Sequence, residues 1–579
     1  MSRFVDTLLA TARDSTRGIL TGEPQAPRRQ TWGQIHEQAL LIAGKLVAGG
    51  LRPGAAVAVL AAEPALIAPT VQAVWLAGGS VTMLHQPTPR TDLVEWSEDT
   101  VRVLDMIGSG LVLLGSPFEP LAGVLTEHGV AHRLLTELSS TVEGDDPLVE
   151  PLAEPVPIGE DSPALLQLTS GSTADPKAVR ITHGNLMANL TSMAQAAALD
   201  PEHDTMVSWL PLFHDMGMVG FLTVPMTIGI ELVKVTPVEF LTGPLIWPML
   251  ISKYHATITA APNFAYAMVG RRMAKVDADD AYDLSTLRLA LNGAEPIDEA
   301  AVRGFTDAGA RFGMPAESVL PAYGMAEATL AVSFAPLFTG LSVDVVDAVQ
   351  LEQDNRAVPV DPADAADAGQ ATRAFSLLGL PLPGLEVTAV DDTGAVLGDR
   401  QVGQLRVRGA AVTPGYLTVD GPLATQDEQG WLSTGDLGYL VDGQVVVCGR
   451  IKDVIIMGGR NIYPTDIERA ATAVAGVRAG NAVAVRLDAG TRRERFAVAL
   501  ESGSAGDAEA EHLLGKEVAA RIVDAVGVRP VGVFVLAPGK LPKTPSGKLR
   551  RSAAAEWVGA RLAERAETRA EQPDRPQAR

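Results

Sequence analysis

The sequence predicts an α/β protein of more than one domain, and three observations carry this prediction. The chain has 579 residues, 47% of them hydrophobic and 20% charged, so it can form large cores and is not globally disordered. Its first third alternates helix-like and strand-like segments, which is typical of parallel sheets covered by helices on both faces. Short strands with turns prevail from Leu385, and a smaller α+β pattern follows Arg450.

The first elements follow from hydrophobic spacing. Apolar residues recur at helical spacing over 31–49, and a second helical pattern covers 64–77. Short apolar runs at 55–59, 80–84 and 111–114 predict strands between and after these helices. Strands separated by helices imply right-handed crossovers, so we expect mainly parallel pairing.

Turn and cap signals mark the later elements. Asp and Gly residues predict turns at 391–394 and 441–443, and hence a β-rich subdomain. Thr465 and Glu468 have capping-box spacing, which predicts that a helix opens there. The small, acidic stretch 361–372 is predicted to be a mobile linker, and the charged tail after Trp557 is predicted to fray.

Net charge and composition exclude several classes of protein. The formal net charge is −22 at pH 7, and a chain this acidic repels the phosphates of nucleic acid. The single cysteine, Cys448, cannot form an internal disulfide, which fits a reducing cytosol. The apolar run 216–230 is shorter than the roughly 20 residues of a membrane helix, and Asp6 and Arg13 argue against an export signal. We therefore expect a cytoplasmic protein with no transmembrane segment.

A loop rich in hydroxyl groups is the first candidate site. It combines four Ser or Thr hydroxyls, one glycine and a lysine, which together offer O–H, N–H and ammonium donors to a polyphosphate. A Ser/Thr-rich surface turn is the alternative, because the loop lacks the Gly-Lys-Ser/Thr of a Walker A loop. The candidate residues are Thr169, Ser170, Gly171, Ser172, Thr173 and Lys177.

Two further motifs supply an aromatic ring and carboxylates. Tyr323, which offers a ring for a base, is followed by Gly324, Met325 and, two residues later, by Glu327. The Glu327 carboxylate is a candidate ligand of Mg²⁺. Asp436 lies in a Ser-Thr-Gly-Asp turn, where it could accept hydrogen bonds from a ribose diol. Taken singly, the first motif also fits a helix start and the second an Asx-type turn.

Two basic motifs follow in this acidic chain. Arg450 and Lys452 flank an isoleucine directly after the β-rich part. Residues 540–551 carry five basic residues, among them Lys548, and no acidic one. Such a run alone usually forms a solvated face or a weak nucleic-acid patch.

In this order and spacing, the five motifs resemble those of the adenylate-forming (acyl-activating) enzyme superfamily. The resemblance extends from Trp32 to about Arg551. It implies a large N-terminal domain, residues 1–450, built from two αβ subdomains and a β-barrel. It also implies a small, mobile α+β lid domain at 451–556, and a disordered tail at 557–579.

The resemblance implies a role for each matching residue. The loop 169–177 would bind the phosphates of ATP, although two alanines replace family glycines there. Lys548 would reach the substrate carboxylate and the α-phosphate, Glu327 would hold Mg²⁺, and Lys452 would act as the hinge. The other implied contacts are with the nucleoside. Tyr323 would stack on the adenine, which Gly293, Ala294, Gly324 and Met325 would border. Asp436 would bind the ribose hydroxyls, with Arg450 beside it.

Four segments resemble the fatty acyl-AMP ligase branch in particular, namely 208–217, 260–266, 323–330 and 457–464. The first contains His214 and Asp215, which the resemblance places at the active site, with His214 a catalytic candidate. A core histidine that only shapes the pocket is the alternative for His214.

The spacing after Tyr323 agrees with this branch, because residues 343–372 match the position of its characteristic insertion. In that branch the insertion is thought to restrain the lid and to disfavour release to free CoA. We expect apolar contacts from Val343, Val345, Val346 and Val349 to provide this restraint.

These resemblances imply a reaction. A fatty acid, ATP and Mg²⁺ would give a fatty acyl-adenylate and pyrophosphate, and the acyl group would pass to the phosphopantetheine thiol of an acyl carrier protein or polyketide synthase. CoA would be a less favoured acceptor. The alternatives are a fatty acyl-CoA synthetase and a catalytically weak nucleotide-binding paralogue.

Overall fold

The computed structural model describes residues 1–87, 91–140, 150–169, 175–457, 459–491, 494–543 and 549–570, with side chains to residue 564 in the last segment. Helices over these residues are α1 (Arg3–Asp14), α2 (Trp32–Ala48), α3 (Pro64–Leu76), α4 (Leu93–Ile107), α5 (Ala122–Glu127), α6 (Leu135–Ser139), α7 (His183–Ala196), α8 (Val224–Ile228), α9 (Pro237–Thr242), α10 (Ile246–Lys253), α11 (Asn263–Met273), α12 (Glu299–Ala310), α13 (Ala348–Asp354), α14 (Pro362–Asp367), α15 (Pro464–Thr472), α16 (Ala508–Val526) and α17 (Arg551–Ala570). A π-helix covers Met216–Thr223, and 3₁₀ turns cover Glu119–Leu121, Ala316–Ser318 and Ala326–Ala328.

The strands supply the frame of the fold. In chain order they are β1 (Gly18–Thr21), β2 (Arg28–Thr31), β3 (Ala56–Leu60), β4 (Ser80–Met83), β5 (Val112–Leu114), β6 (His132–Leu134), β7 (Pro163–Thr169), β8 (Lys177–Thr182), β9 (Thr205–Ser208), β10 (Glu231–Lys234), β11 (Ile258–Ala261), β12 (Leu289–Asn292), β13 (Val319–Gly324), β14 (Ala331–Phe334), β15 (Val343–Asp347), β16 (Thr372–Ser376), β17 (Leu380–Pro381), β18 (Leu385–Val390), β19 (Gly403–Gly409), β20 (Gly415–Thr418), β21 (Gly421–Ala424), β22 (Leu432–Val441), β23 (Gln444–Arg450), β24 (Ile455–Met457), β25 (Arg460–Ile462), β26 (Val477–Leu487), β27 (Arg495–Ser502) and β28 (Val533–Leu536).

Two large mixed sheets form most of the fold. Over the described residues, one has the order β17-β14-β13-β12-β11-β9-β10-β1-β2, and the other β21-β20-β8-β7-β4-β3-β5-β6. Pairing is parallel from β10 through β9, β11 and β12 to β13, and again among β7, β4, β3, β5 and β6. The predicted α/β fold with mainly parallel pairing is confirmed.

The early elements form where hydrophobic spacing predicted them. Thr31 caps α2, because its hydroxyl accepts from the Gln34 backbone while the Gln34 side chain accepts from the Thr31 backbone. All five residues of β3 are buried, as a central parallel strand requires. Predicted and observed bounds of α2, α3, β3, β4 and β5 agree within one residue.

The β-rich part forms a four-stranded antiparallel sheet of order β18-β19-β22-β23, at the place where the barrel was expected. Residues after 450 have buried clusters of their own, one around Ile462, Ile467, Phe496 and Ile522 and one around Phe534 and Val558. Over the described residues, none of the helices combines the length and apolarity that a membrane crossing needs.

Three local predictions differ from the structure. The capping box at Thr465 is absent, because the N-cap is Tyr463, two residues earlier, and α15 begins at Pro464 with no side-chain cap. Asp361 caps the short helix α14 inside the stretch that was expected to be a mobile linker. The tail does not fray at Trp557, since α17 continues to Ala570 and buries Val558; residues 571–579 lie outside the described residues.

Candidate active site

One cavity of about 3040 Å³ opens where the carboxyl ends of β7, β12 and β13 meet β23 and the residues after 450. Its lining includes Thr169, Gly293, Tyr323, Arg450 and Lys543, which come from five separate parts of the chain. The crevice beyond the carboxyl ends of parallel strands is where α/β sheets bind ligands, because loops from neighbouring strands diverge there. Most of the predicted site residues line this cavity or border it.

Asp436 and Arg450 form an ion pair at the end of the four-stranded sheet. They are directly opposite each other in β22 and β23, and Arg450 Nε lies 2.7 Å from Asp436 Oδ1. Tyr323, from the nine-stranded sheet, donates its hydroxyl to the other carboxylate oxygen at 2.5 Å. Burial raises the pKa of Asp436, and Arg450 opposes that rise by stabilising the anion. Three predicted residues from two sheets therefore meet at one carboxylate.

Glu327 faces the cavity from the 3₁₀ turn that follows β13. Tyr416 in β20 donates its hydroxyl to Glu327 Oε1 at 2.6 Å. Burial and the charge of Glu327 raise the pKa of Tyr416, so the phenol keeps its proton and remains a donor. Lys177 Nζ lies 4.2 Å from the centre of the Tyr416 ring. Sequence analysis missed Tyr416, since an aromatic residue in a short predicted strand carries no signal of its own.

Thr169 ends β7 directly opposite Lys177. Its hydroxyl is buried, and in the part of the chain that the structure describes it has no hydrogen-bond partner. A buried orphan hydroxyl beside a cavity is a donor available to a ligand. The other predicted loop residues and the predicted lid lysine lie outside the described residues: Ser170, Gly171, Ser172, Thr173 and Lys548.

His214 and Asp215 lie at the start of the π-helix, where His214 Nδ1 is 2.7 Å from Asp215 Oδ1. The Gln167 side chain donates to the Phe213 carbonyl at 2.9 Å and so ties this segment to β7. A second histidine, His85, lines the same cavity, with its ring 5.8 Å from that of Phe213. Burial, with a smaller effect of His214, lowers the pKa of His85 to about 4, so this imidazole is neutral at pH 7. Sequence analysis missed His85.

Backbone geometry explains why small residues lie beside the cavity. A Cβ on Gly324 would lie 2.2 Å from the Leu330 carbonyl oxygen, and one on Gly293 would lie 3.0 Å from the Ala322 oxygen. Ala294 has a φ of +68°, a backbone conformation that residues other than glycine rarely adopt. The buried Met325 donates its backbone N–H to Leu330 at 2.8 Å, which fixes the turn before Glu327.

The residues after 450 close the cavity from the opposite side. Lys452 lines it, and burial lowers the pKa of its ammonium group. Arg551 binds the Glu468 carboxylate and lies 3.4 Å from Asp453, which fastens the start of α17 to α15. Lys543 also lines the cavity, and it is the last described residue before Lys548.

Ion pairs connect the predicted insertion and the strand that follows it to the residues after 450. Glu352 in α13 binds both Arg373 and Arg460 at 2.5 Å, and Arg373 lies 3.0 Å from Asp466 in α15. Asn461 donates to Asn355 at 2.9 Å. We call these the insertion contacts.

The valines expected to restrain the lid are only partly engaged. Val346 is fully buried in a cluster with Val454 and Tyr463, whereas Val349 is exposed and Val343 and Val345 are half-buried. Hydrophobic spacing alone could not predict the ion pairs Glu352–Arg460 and Arg373–Asp466, because the two residues of each pair lie about 100 positions apart in the sequence.

The donor set fits a nucleotide-bound metal ion better than a site built from protein alone. No group of three or more His, Cys, Asp or Glu side chains that could hold a metal occurs among the described residues. Mg²⁺ typically takes one or two carboxylates, with phosphate oxygens and waters as its other ligands. Glu327, with one oxygen bound to Tyr416 and its side chain at the cavity, can serve as such a carboxylate.

Comparisons with known proteins agree with this geometry. The family described as AMP-binding enzyme matches residues 10–417. The Mycobacterium tuberculosis protein Rv1013, named as a ligase, is 52% identical over 553 residues, which cover 95% of this chain and 99% of that protein. The medium-chain-fatty-acid–[acyl-carrier-protein] ligase JamA of Moorena producens is 34% identical over 407 residues, 68% of each chain.

A solved structure of a similar protein has the same fold as this chain. It comes from structural and functional studies of fatty acyl-adenylate ligases from E. coli and L. pneumophila. It superposes with a TM-score of 0.85 at 30% identity, covering 97% of this chain and 99% of that one. The match therefore extends over both large sheets and the residues after 450.

Proposed function

We propose that this chain, which belongs to the AMP-binding enzymes and among them to the fatty acyl-AMP ligases, passes its acyl group to a carrier-bound thiol. The first half-reaction converts a fatty acid and ATP into a fatty acyl-adenylate and pyrophosphate. The observation that carries the proposal is that one cavity joins a polar end, lined by Glu327, Lys177 and the Arg450 that pairs with Asp436, to an apolar inner part.

The polar end is suited to a nucleotide. Asp436 would accept hydrogen bonds from the ribose hydroxyls, because Arg450 and the Tyr323 hydroxyl hold its carboxylate in place. The Tyr323 ring and the close backbone at Gly324 would border the adenine. The orphan Thr169 hydroxyl and Lys177 would meet the phosphates, together with the loop that follows Thr169.

Adenylation joins two anions, so the enzyme must offset their repulsion. A carboxylate oxygen of the acid attacks the α-phosphorus, a new O–P bond forms, and the bond to the bridging oxygen breaks with its electron pair leaving on pyrophosphate. Mg²⁺ held at Glu327 would neutralise phosphate charge. Lys548 would stabilise the charge that develops at the α-phosphate, and Lys177 would orient the departing pyrophosphate.

The insertion contacts support a carrier-bound thiol rather than CoA as the acceptor. Thiol transfer requires the lysine-bearing residues after 450 to move away from the adenylate. The insertion contacts tie these residues to the segment before them through a carboxylate that is 5% exposed. A carrier protein that binds both the insertion and the residues after 450 could supply the free energy that breaks the insertion contacts. Free CoA contacts less surface and would supply less. JamA, named as an acyl-carrier-protein ligase, is a relative of this kind.

The proposal is tested by incubating the purified protein with ATP, Mg²⁺ and a panel of fatty acids, first alone and then with a phosphopantetheinylated carrier protein. We expect pyrophosphate and acyl-AMP from the first incubation and an acylated carrier from the second. Absence of acyl-AMP with every acid would refute the first half-reaction. Acyl-AMP that never reaches the carrier would refute the second.

A further inference from the structure

The inner part of the cavity follows one face of the nine-stranded sheet. Along β12 and beyond it, Leu289, Leu291 and Gly293 line the cavity, whereas Ala290 and Asn292 between them do not. This alternation is expected when a cavity follows one face of a strand, because successive side chains point to opposite faces. Gly293 lies at the polar end and Leu289 begins the strand, so the inner arm runs the full length of β12.

The far end of this arm lies beside the loop after α7. Ala197, Leu199 and Met206 line it there. Behind them, Arg288 donates to the carbonyls of Ala197 and Ala198 at 3.0 Å and pairs with the buried Asp204. These hydrogen bonds hold the loop after α7 across the amino-terminal edge of the sheet. A ligand that fills the arm would therefore meet this loop at its far end.

The length of the arm follows from the strand beside it. Four residues separate Leu289 from Gly293, and a strand rises about 3.3 Å per residue, which gives about 13 Å. An all-trans alkyl chain advances about 1.25 Å per C–C bond, so this distance corresponds to about ten or eleven bonds, which join about eleven or twelve carbons. All residues named along the arm are apolar or glycine, which favours an unsubstituted alkyl chain.

Gly220 of the π-helix and Leu330 both line the cavity and lie close to each other. A Cβ added to Gly220 would meet the Leu330 Cδ2 atom at 3.2 Å and no other atom within 4 Å. Gly220 is half-exposed although its neighbours Val219 and Phe221 are buried, because it borders the cavity. Its φ is not in the left-handed region, so the backbone tolerates a side chain there.

We propose that the inner arm sets the length of the acid, admitting an unbranched alkyl chain of about twelve carbons, and that Gly220 is the residue that admits it. The inference rests on the proposed function and adds the substrate class to it. In the adenylation step the carboxylate lies at the polar end near Gly293, and the chain extends past Gly220 toward Leu199.

The test is a series of straight-chain acids from C4 to C18, with kcat/KM measured by pyrophosphate release. For the wild type we expect kcat/KM to rise by up to about fourfold per added methylene. Burial of each methylene stabilises the transition state by about 0.8 kcal/mol. The rise should stop near C12, and longer acids should react more slowly. A flat profile, or one that still rises at C18, would overturn the length assignment.

Gly220→Val should lower the ratio of dodecanoate to hexanoate kcat/KM by about tenfold or more, because the side chain narrows the cavity beside Leu330. Gly123→Val is the matched control, since a Cβ there meets nothing within 4 Å on an exposed helix, and its ratio should equal that of the wild type. Leu199→Ala removes side-chain volume at the far end of the arm, so its optimum should move to longer acids.

The outcomes separate the inference from the proposed function. Adenylation of hexanoate with unchanged ratios in both the Gly220 and Leu199 variants would refute the inference and leave the proposed function intact. No adenylation of any acid by the wild type would refute the proposed function itself. If Gly220→Val does not fold, Leu199→Ala and the wild-type profile still decide the matter.

Discussion

Glu352 binds Arg460 across the predicted domain boundary at residue 450. Arg460 Nε donates to Glu352 Oε2 at 2.7 Å, and Arg373 contacts the other carboxylate oxygen at 2.5 Å. The Glu352 and Arg373 side chains are 5% and 8% exposed, so their ion pair is shielded from water, whereas Arg460 is 32% exposed. One buried carboxylate therefore links the inserted segment to the residues that the sequence assigns to a mobile lid.

Glu352→Gln should release this link. Removing one charge of a buried network typically costs about 3–5 kcal/mol, and here Arg460 loses its counter-ion whereas Arg373 keeps Asp466 at 3.0 Å. We expect a detectable gain of acyl-CoA when the variant is given saturating CoA. Glu386→Gln is the matched control, since it breaks an exposed pair with Arg408 on the four-stranded sheet. A folded Glu352→Gln protein with no gain in acyl-CoA would contradict a restraining role for the insertion contacts.

Glu327→Gln should raise the Mg²⁺ concentration that half-saturates adenylation, because one anionic oxygen ligand is lost. A titration of pyrophosphate release with Mg²⁺ measures the effect. Tyr416→Phe is the control, since it removes the hydrogen bond to Glu327 and keeps the carboxylate. Equal titrations for Glu327→Gln and the wild type would show that this carboxylate is structural.

Lys548→Ala should lower kcat for adenylation by about 100-fold or more, since its ammonium acts on charge that develops only during transfer. ATP binding, measured by calorimetry, should remain close to that of the wild type. Lys540→Ala removes an exposed lysine of the same basic segment and should leave both quantities unchanged. Pyrophosphate release at the wild-type rate in Lys548→Ala would remove this lysine from the mechanism.

His183 should make the folded state less stable in acid. Burial lowers its pKa to about 4 in the folded chain, from an ordinary value of 6.5. Between these values the unfolded chain binds a proton that the folded chain does not, so stability rises with pH. The free energy of unfolding should fall by about 2 kcal/mol from pH 6.5 to pH 5 through this group.

His183→Asn isolates the contribution of this histidine. The variant keeps a polar side chain near Ser2, whose hydroxyl lies 2.9 Å from His183 Nδ1, and it cannot titrate in this range. Urea unfolding at pH 7, 6 and 5 should therefore show a shallower loss of stability than in the wild type. Identical slopes for the two proteins would mean that His183 takes up protons equally in the folded and unfolded chain, so that folding does not lower its pKa.

Sequence analysis predicted those parts of the fold that local periodicity or turn chemistry determines. Strand β3 and helix α2 are examples, since an apolar run and a Thr31–Gln34 capping box specify them locally. Contacts between distant segments could not be predicted in this way. Tyr416 reaches Glu327 from 89 residues away, and His85 faces the cavity from a loop with no motif.

A contact between distant segments also explains why the helix cap predicted at Thr465 is absent. Capping-box spacing predicted that the Glu468 side chain would turn back toward its own helix start. In the structure that carboxylate accepts instead from the Ala484 backbone at 2.8 Å and binds Arg551. A tertiary ion pair with a neighbouring strand and helix therefore outweighs a local cap.

The account is tested most directly by product analysis of the wild-type enzyme with its preferred fatty acid, ATP, Mg²⁺ and saturating CoA. Acyl-AMP, acyl-CoA and pyrophosphate are separated and quantified over several turnovers. We expect acyl-AMP to accumulate, with acyl-CoA as a minor product, until a phosphopantetheinylated carrier protein is added and takes the acyl group. Efficient acyl-CoA formation without a carrier would contradict the account and identify the enzyme as a fatty acyl-CoA synthetase.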